Sequence, residues 1–225
     1  MNIHCLDSIP FEIDIPYMLE KMNIIRENKR TDEIVGQLLE GAQIAVPKAI
    51  YGQALIQKRG EDYLVADEIR FNSRILRINT QKTDWLYPYL ATAGRELEAW
   101  SERFSSPMER YVASLIEEEA CRKAMTTVFQ TIDTPHELQF PSSMNPGSLE
   151  DWPLSEQRNL FKLLKDSHGT IGIELLDSLF MKPAKSVSGI RFSGIHAYTN
   201  CQICTRHQCD GRMEPYDPDA ERRYQ

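Results

Sequence analysis

The sequence predicts an α+β fold in which helices surround a twisted, mainly antiparallel sheet. Three observations support this. Apolar residues recur at helical spacing in several long segments, and the stretches between them read as short β-rich runs joined by turn residues. The two kinds of segment do not alternate strictly, as a parallel βαβ sheet would require. A chain of 225 residues, 41% of them hydrophobic, can bury one substantial core. Residues 1–200 are expected to form that core as a single domain, followed by a polar, cysteine-containing tail over 201–225.

Pro16 suits the first turn of a helix, where a missing N–H is no loss, and Leu19, Met22 and either Ile24 or Ile25 follow at helical spacing. A second helix is expected after Thr31, whose hydroxyl can cap free N–H groups. Ile34, Leu38, Ala42 and Ala45 share one of its faces, and Pro47 stops it. From Ala49 to Thr92 the pattern turns to strands. Ile50 to Gln57 and Tyr63 to Ala66 read as a hairpin about Arg59-Gly60-Glu61-Asp62. Trp85 to Leu90 reads as a further strand, which Pro88 should confine to an edge or a bulge because proline cannot donate to the ladder.

Ser106, Pro107 and Glu109 form the strongest helix start in the chain: a cap, a proline at the first helical position and a glutamate placed to close a capping box. The long helix that follows carries Met108, Tyr111, Val112, Leu115, Ile116, Ala120, Ala124, Val128 and Phe129 in one stripe. Glu117, Glu118 and Glu119 are expected to be mainly solvated; a metal-binding carboxylate cluster is the sharper reading, but adjacent helical residues diverge by about 100° and do not converge on one ion. Ser155 to His168 reads as another helix, with Gly169 as its left-handed terminator. Ile171 to Leu176 and Val187 to Phe192 read as strands on either side of an irregular connection, Leu179 to Lys185. The end of the chain from Asp210 is polar, turn-rich and expected to be mobile unless a partner or metal orders it.

The formal net charge of −7 argues against a general binder of nucleic-acid phosphates, which needs a basic face to displace counterions. No run approaches the roughly 20 apolar residues that span a bilayer, and the first residues lack the pattern of a secretory signal, so a cytoplasmic location is expected. The partner should therefore be a protein or a small molecule.

Two stretches carry the functional reading: Ser143-Met144-Asn145-Pro146-Gly147-Ser148, and Ser178 to Ser193 with its core Met181-Lys182-Pro183-Ala184-Lys185-Ser186-Val187-Ser188-Gly189. Pro47 to Tyr51, Phe71 to Leu76 and Thr92 to Glu98 add to them in the same order along the chain. Together these segments resemble the activation domain of cobalamin-dependent methionine synthase, over most of residues 10 to 195. The resemblance implies that domain's fold and a docking role on cobalamin held by a partner protein. The partner would be a methionine synthase core lacking its own activation domain, or another corrinoid protein. The role would support methyl transfer and reductive reactivation, acting as part of a methyltransferase rather than as an enzyme alone. An adaptor that acts on corrinoid proteins without S-adenosylmethionine, or a metal or electron-transfer protein on the same scaffold, is the alternative.

The resemblance also implies a ligand site for S-adenosylmethionine. The family's motif there reads Arg-x-x-x-Gly-Tyr, and its arginine helps to bind the ligand carboxylate. This chain keeps Gly147 but has Ser143 for the arginine and Ser148 for the tyrosine. A charge-assisted hydrogen bond is worth about 1.5–3 kcal/mol, roughly one to two decades in affinity, so tight binding in the family's manner is not expected. Asn145, Pro146 and Gly147 could still bring backbone close to a ligand. Tyr198 is placed like a ligand-contacting aromatic of the family, although simple packing accounts for it equally well. Asp14 stands near an aspartate at the family's N-terminal end.

Cys201, Cys204 and Cys209 follow the C-x2-C-x4-C spacing, with His207 between the last two. Thiolates and an imidazole suit zinc, and an iron-sulfur centre would supply the electron that rescue of oxidised cobalamin needs. A redox-active Cys201/Cys204 dithiol and a set of plain reduced thiols fit the same spacing. Cys5 and Cys121 read as structural.

Overall fold

The computed structural model describes residues 2–24, 28–165, 167–206, 208–209, 212 and 214–224. Its elements are β1 (Ile3–Leu6), α1 (Ile15–Lys21), α2 (Lys29–Ile44), β2 (Lys48–Gly52), β3 (Ala54–Arg59), β4 (Tyr63–Ala66), β5 (Ile69–Asn72), α3 (Arg74–Asn79), β6 (Trp85–Thr92), α4 (Arg95–Ser101), α5 (Pro107–Asp133), β7 (Pro141–Met144), α6 (Gln157–Leu163), β8 (Glu174–Leu175), β9 (Met181–Lys182), β10 (Ser186–Ser193) and α7 (Pro218–Arg222).

An antiparallel sheet organises these elements, as expected. Its hub is β6, which pairs along one edge with β2 and then β3, and along the other with β10. Beyond these, β1 extends from β2, β4 and β5 from β3, and β7 from β10. Leu86 to Thr92 are all buried, because helices cover both faces of this strand, and a doubly covered strand reads as a continuous apolar run. On one face lie α5 and, behind it, α1, α2 and α4, packed through Met18, Leu38, Leu97, Trp100 and Ile116. On the other face Phe71, Leu76, Met144, Trp152, Phe192 and Tyr198 form the largest core cluster, and Phe161, Leu164 and Ile171 pack on Ile50 and Leu90.

Several local expectations are corrected. Pro88 lies in the central strand rather than at an edge. It pairs with Ile190 of β10, and it falls where the other edge passes from β2 (Tyr51 opposite Tyr89) to β3 (Ala54 opposite Leu86). The cap of α2 is Asn28, whose side chain accepts from the N–H groups of Arg30 and Thr31, so Thr31 lies inside the helix. Ser106 starts α5 without a side-chain cap bond, and Met108 and Tyr111, expected in its apolar stripe, are exposed because the buried contacts of α5 begin only at Val112. Glu117 to Glu119 are half-buried: Glu117 accepts from Ser101 Oγ at 2.6 Å, and Glu119 from Lys21 Nζ at 3.1 Å. They were expected to be solvated because α5 was read with one apolar face, whereas it packs on the sheet, α2 and α4 at once.

The segment Ser155 to His168 is shorter as a helix than expected, and Lys165 (φ 52°), not Gly169, takes the left-handed position after α6. Of the strand expected over Ile171 to Leu176 only β8 forms, in a small hairpin with β9; Ile171 and Ile173 are core side chains instead. Beyond residue 200, Ile203, Ala220 and Tyr224 pack into the largest core cluster, so the described part of the polar tail is tied down. Ile25, His207 and Asp210 lie outside the described residues.

Candidate functional site

The turn at Ser143–Ser148 leaves β7 and is closed on itself. Asn145 Nδ2 donates to Tyr89 Oη at 2.9 Å and to the Ser188 carbonyl at 2.8 Å, which spends its amide inside the sheet. Gly147, at φ 81°, donates its N–H to the Trp152 carbonyl at 2.8 Å, and Ser148 N–H donates to the Asn145 carbonyl at 3.2 Å. Pro146 is buried, whereas Gly147 and Ser148 are exposed. Gly189 lies beneath the turn, and a Cβ there would come within 2.6 Å of both Asn145 Nδ2 and Tyr89 Oη. Burial pushes the Tyr89 phenol up to about 12 although Asn145 donates to it, so it stays protonated at neutral pH.

Ser143 is opposite Arg191 in the β7–β10 register, so the two side chains leave the sheet on the α5 face. Arg191 is not available there. Its Nε and Nη2 reach the two carboxylate oxygens of Asp133, at 2.8 and 2.5 Å, and its guanidinium lies 4.3 Å from the centre of the Phe129 ring. Sequence reading missed this pair, since nothing in the spacing links a strand residue to a helix end 58 positions away.

Next to the turn is an open cleft of about 450 Å³, lined by Glu98 of α4 and Glu102 just after it, Leu154 and Gln157 around the start of α6, and the β8–β9 hairpin. Leu154 joins the two features, because a Cβ on Gly147 would touch it at 3.0 Å. Three of the segments that carry the resemblance therefore meet here: the α4 start, the Gly147 turn and the Met181 motif. The hairpin presents Phe180, 69% exposed, and Leu176, 38% exposed. Glu98 fixes its far side by accepting the Ala184 N–H at 2.7 Å, and Ser186 Oγ donates to Thr92 Oγ1 at 2.9 Å. Phe180, Glu98 and Glu102 were not singled out from sequence, although Phe180 and Glu98 stand within the matched segments.

No family model and no curated protein matches the sequence. A solved structure does: the crystal structure of the MetH reactivation domain bound to AdoHcy superposes with a TM-score of 0.62, at 15% identity, over 90% of this chain and 82% of that chain. The fold is that of the MetH reactivation domain. At this identity the likeness concerns the fold alone. The candidate ligand residues of this reactivation-domain fold do not fit a carboxylate-bearing ligand in the manner the resemblance implies: Ser143 has no charge, the nearby guanidinium is held by Asp133, and the N–H groups of Gly147 and Ser148 are taken by the chain itself.

The remaining candidates sit apart from this turn. Tyr198 is 2% exposed within the core cluster on the sheet's other face, edge-on to Tyr224 at 5.8 Å, and burial holds its phenol protonated. Asp14 accepts from Tyr17 N–H as the cap of α1. Cys201 and Cys204 are half-buried and Cys209 is exposed. Among the described residues no three histidine, cysteine or acidic side chains are gathered about a common metal position, and no helix is long and apolar enough to cross a membrane.

Proposed function

We propose that the chain docks on a cobalamin-binding methionine synthase core, or a related corrinoid protein, and supports reductive re-methylation of the cofactor that the partner holds. The single observation that carries this reading is the likeness over 90% of the chain to a reactivation domain, with the matched segments converging on the cleft beside Phe180. A docking module needs a complementary surface more than reactive side chains. An exposed aromatic beside a cleft, rimmed by Glu98, Glu102 and Lys182, is that kind of surface.

The test is to mix the chain with a methionine synthase core lacking its reactivation domain and loaded with cob(II)alamin, then to follow conversion to methylcobalamin with a one-electron reductant and with S-adenosylmethionine added as the methyl donor. The chain should form a complex and speed the conversion. Phe180→Glu should weaken complex formation by about tenfold or more, as loss of a central anchor does. Absence of both complex and acceleration with every corrinoid protein tried would sink the proposal.

A second reading, an adaptor that works without S-adenosylmethionine, is favoured by the closed Ser143–Ser148 turn and the Arg191–Asp133 pair. Calorimetry with S-adenosylmethionine, with and without the partner, separates the two. No heat of binding under either condition is the adaptor's expectation, and binding in the partner's presence restores the methyl-donor role.

A further inference from the structure

The tip of the β8–β9 hairpin is unfavourable in two respects for the chain on its own. The first is the backbone of Leu179, which has φ 70°, in the left-handed region. There the Cβ crowds the following carbonyl, so glycine and asparagine are the usual occupants and a bulky side chain is an outlier. The tip is nevertheless fastened in this form. Leu179 N–H donates to the Leu176 carbonyl at 2.9 Å, and Leu176 N–H donates to the Phe180 carbonyl at 2.9 Å. Arg158 of α6 donates from Nη2 to the Asp177 carbonyl at 3.1 Å, and Leu175 pairs with Met181 at the base of the hairpin.

The second respect is what the left-handed residue holds. Phe180 follows it directly and is 69% exposed, more than any other large apolar side chain among the described residues. An aromatic left in water forgoes the gain of burying it. Strained backbone persists where its surroundings over-determine it, and it gathers at ligand clamps and other functional sites. Here the strain and the fastening have one common result, an aromatic kept out of the core. A side chain presented in this way has little freedom left to lose on binding. Around it stand Glu98, Glu102 and Asp177 against Lys182 and Arg158, so acids outnumber cations.

We infer that Leu179 is a positioning residue, whose left-handed backbone holds Phe180 outward as a pre-set anchor for an apolar, basic-rimmed hollow on the corrinoid-holding partner. The inference rests on the docking role proposed above. Leu179 also lines the cleft and is half-buried, which leaves a plain apolar contact as the competing account of its presence. The two accounts order its substitutions oppositely. Asparagine keeps the left-handed conformation and loses the apolar side chain, whereas isoleucine keeps the apolar side chain and disfavours the conformation.

The experiment measures affinity of the full chain for a methionine synthase core lacking its reactivation domain and loaded with cob(II)alamin. Leu179→Ile should weaken the complex by about tenfold, as displacing a central anchor does, and Leu179→Asn should stay within about threefold of wild type. In a Phe180→Ala background Leu179→Ile should cost nothing further, because its effect passes through the aromatic. Hydrogen exchange of the free chain gives a readout apart from binding: the Leu176 amide should remain protected in Leu179→Asn and lose protection in Leu179→Ile. Glu102→Lys should weaken the complex at low salt and by less at high salt. A wild-type complex that Leu179→Ile leaves intact, or that Leu179→Asn weakens as much, overturns the positioning role while the docking role stands. An unchanged affinity for Glu102→Lys removes the basic rim. If wild type binds no corrinoid protein, the docking role falls and this inference falls with it.

Discussion

Gly189 shows how a single position holds the turn in its closed form. A Cβ there would come within 2.6 Å of Tyr89 Oη and Asn145 Nδ2 and within 2.7 Å of the Met144 carbonyl, distances that real Cβ atoms do not tolerate. Two of these atoms make the bond that fastens the turn to β6, and the third is backbone, so none can yield cheaply. Gly189→Ala is therefore expected to destabilise the fold by about 1–3 kcal/mol, the usual cost of overpacking. The urea midpoint should fall with an unchanged slope; an unchanged midpoint would show that the Asn145–Tyr89–Ser188 contact has slack. The sequence names this glycine as part of a motif, but the need for it becomes visible only when Asn145, 44 residues earlier, is placed above it. The Arg191–Asp133 pair was likewise illegible, because ion pairs between distant elements leave no local spacing.

At the scale of elements, α5 is the test case. It packs on the sheet through Ala124, Val128 and Ile132, and on the other helices through Val112, Ala113 and Ile116, so its glutamates are drawn into contacts that a one-faced helix would leave in water. Burial raises the pKa of Glu117, although the Ser101 hydroxyl and Lys185 oppose the shift. The folded chain then binds more protons at Glu117 than the unfolded chain does. This makes stability fall as pH rises from the ordinary glutamate value through the raised one, with the penalty fully present above it. Glu117→Gln, whose amide oxygen can still accept from Ser101, should be at least as stable as wild type at neutral pH, and the difference should shrink on acidification. A variant less stable at pH 7, or a gap that widens as pH falls, would contradict the burial account. The same contrast explains which elements were legible. α5 has a proline start and a length that belong to it alone, and β10 contains the strand expected over Val187 to Phe192. Pro88 misleads because its tolerance depends on where the neighbouring strands break, and β8 is short because Ile171 and Ile173 are claimed by the core.

For the whole molecule, the decisive question is whether the segment after Asn200 belongs to the fold. Composition set it apart, since Arg, Asp and Pro dominate the end of the chain. Three of its side chains nevertheless complete the largest core cluster: Ile203, Ala220 and Tyr224, 7%, 2% and 8% exposed. The Tyr224 hydroxyl donates to Asn79 Oδ1 at 2.6 Å, which ties the last helix to α3, and Asp217 N–H reaches the Gln202 carbonyl at 2.7 Å. Truncation after Asn200 would therefore uncover Tyr198 and leave Asn79 unsatisfied, two costs that do not depend on any partner or metal. Losing one large buried aromatic alone costs about 3–5 kcal/mol, a large share of the 5–15 kcal/mol that holds most domains. The truncated chain should unfold at a markedly lower temperature than the full chain and bind a hydrophobic dye, and Tyr224→Ala should reproduce much of the loss. If the truncated chain melted cooperatively at the temperature of the full one, the fold would end before the cysteines, and residues 201–225 would be an appendage rather than a wall of the core.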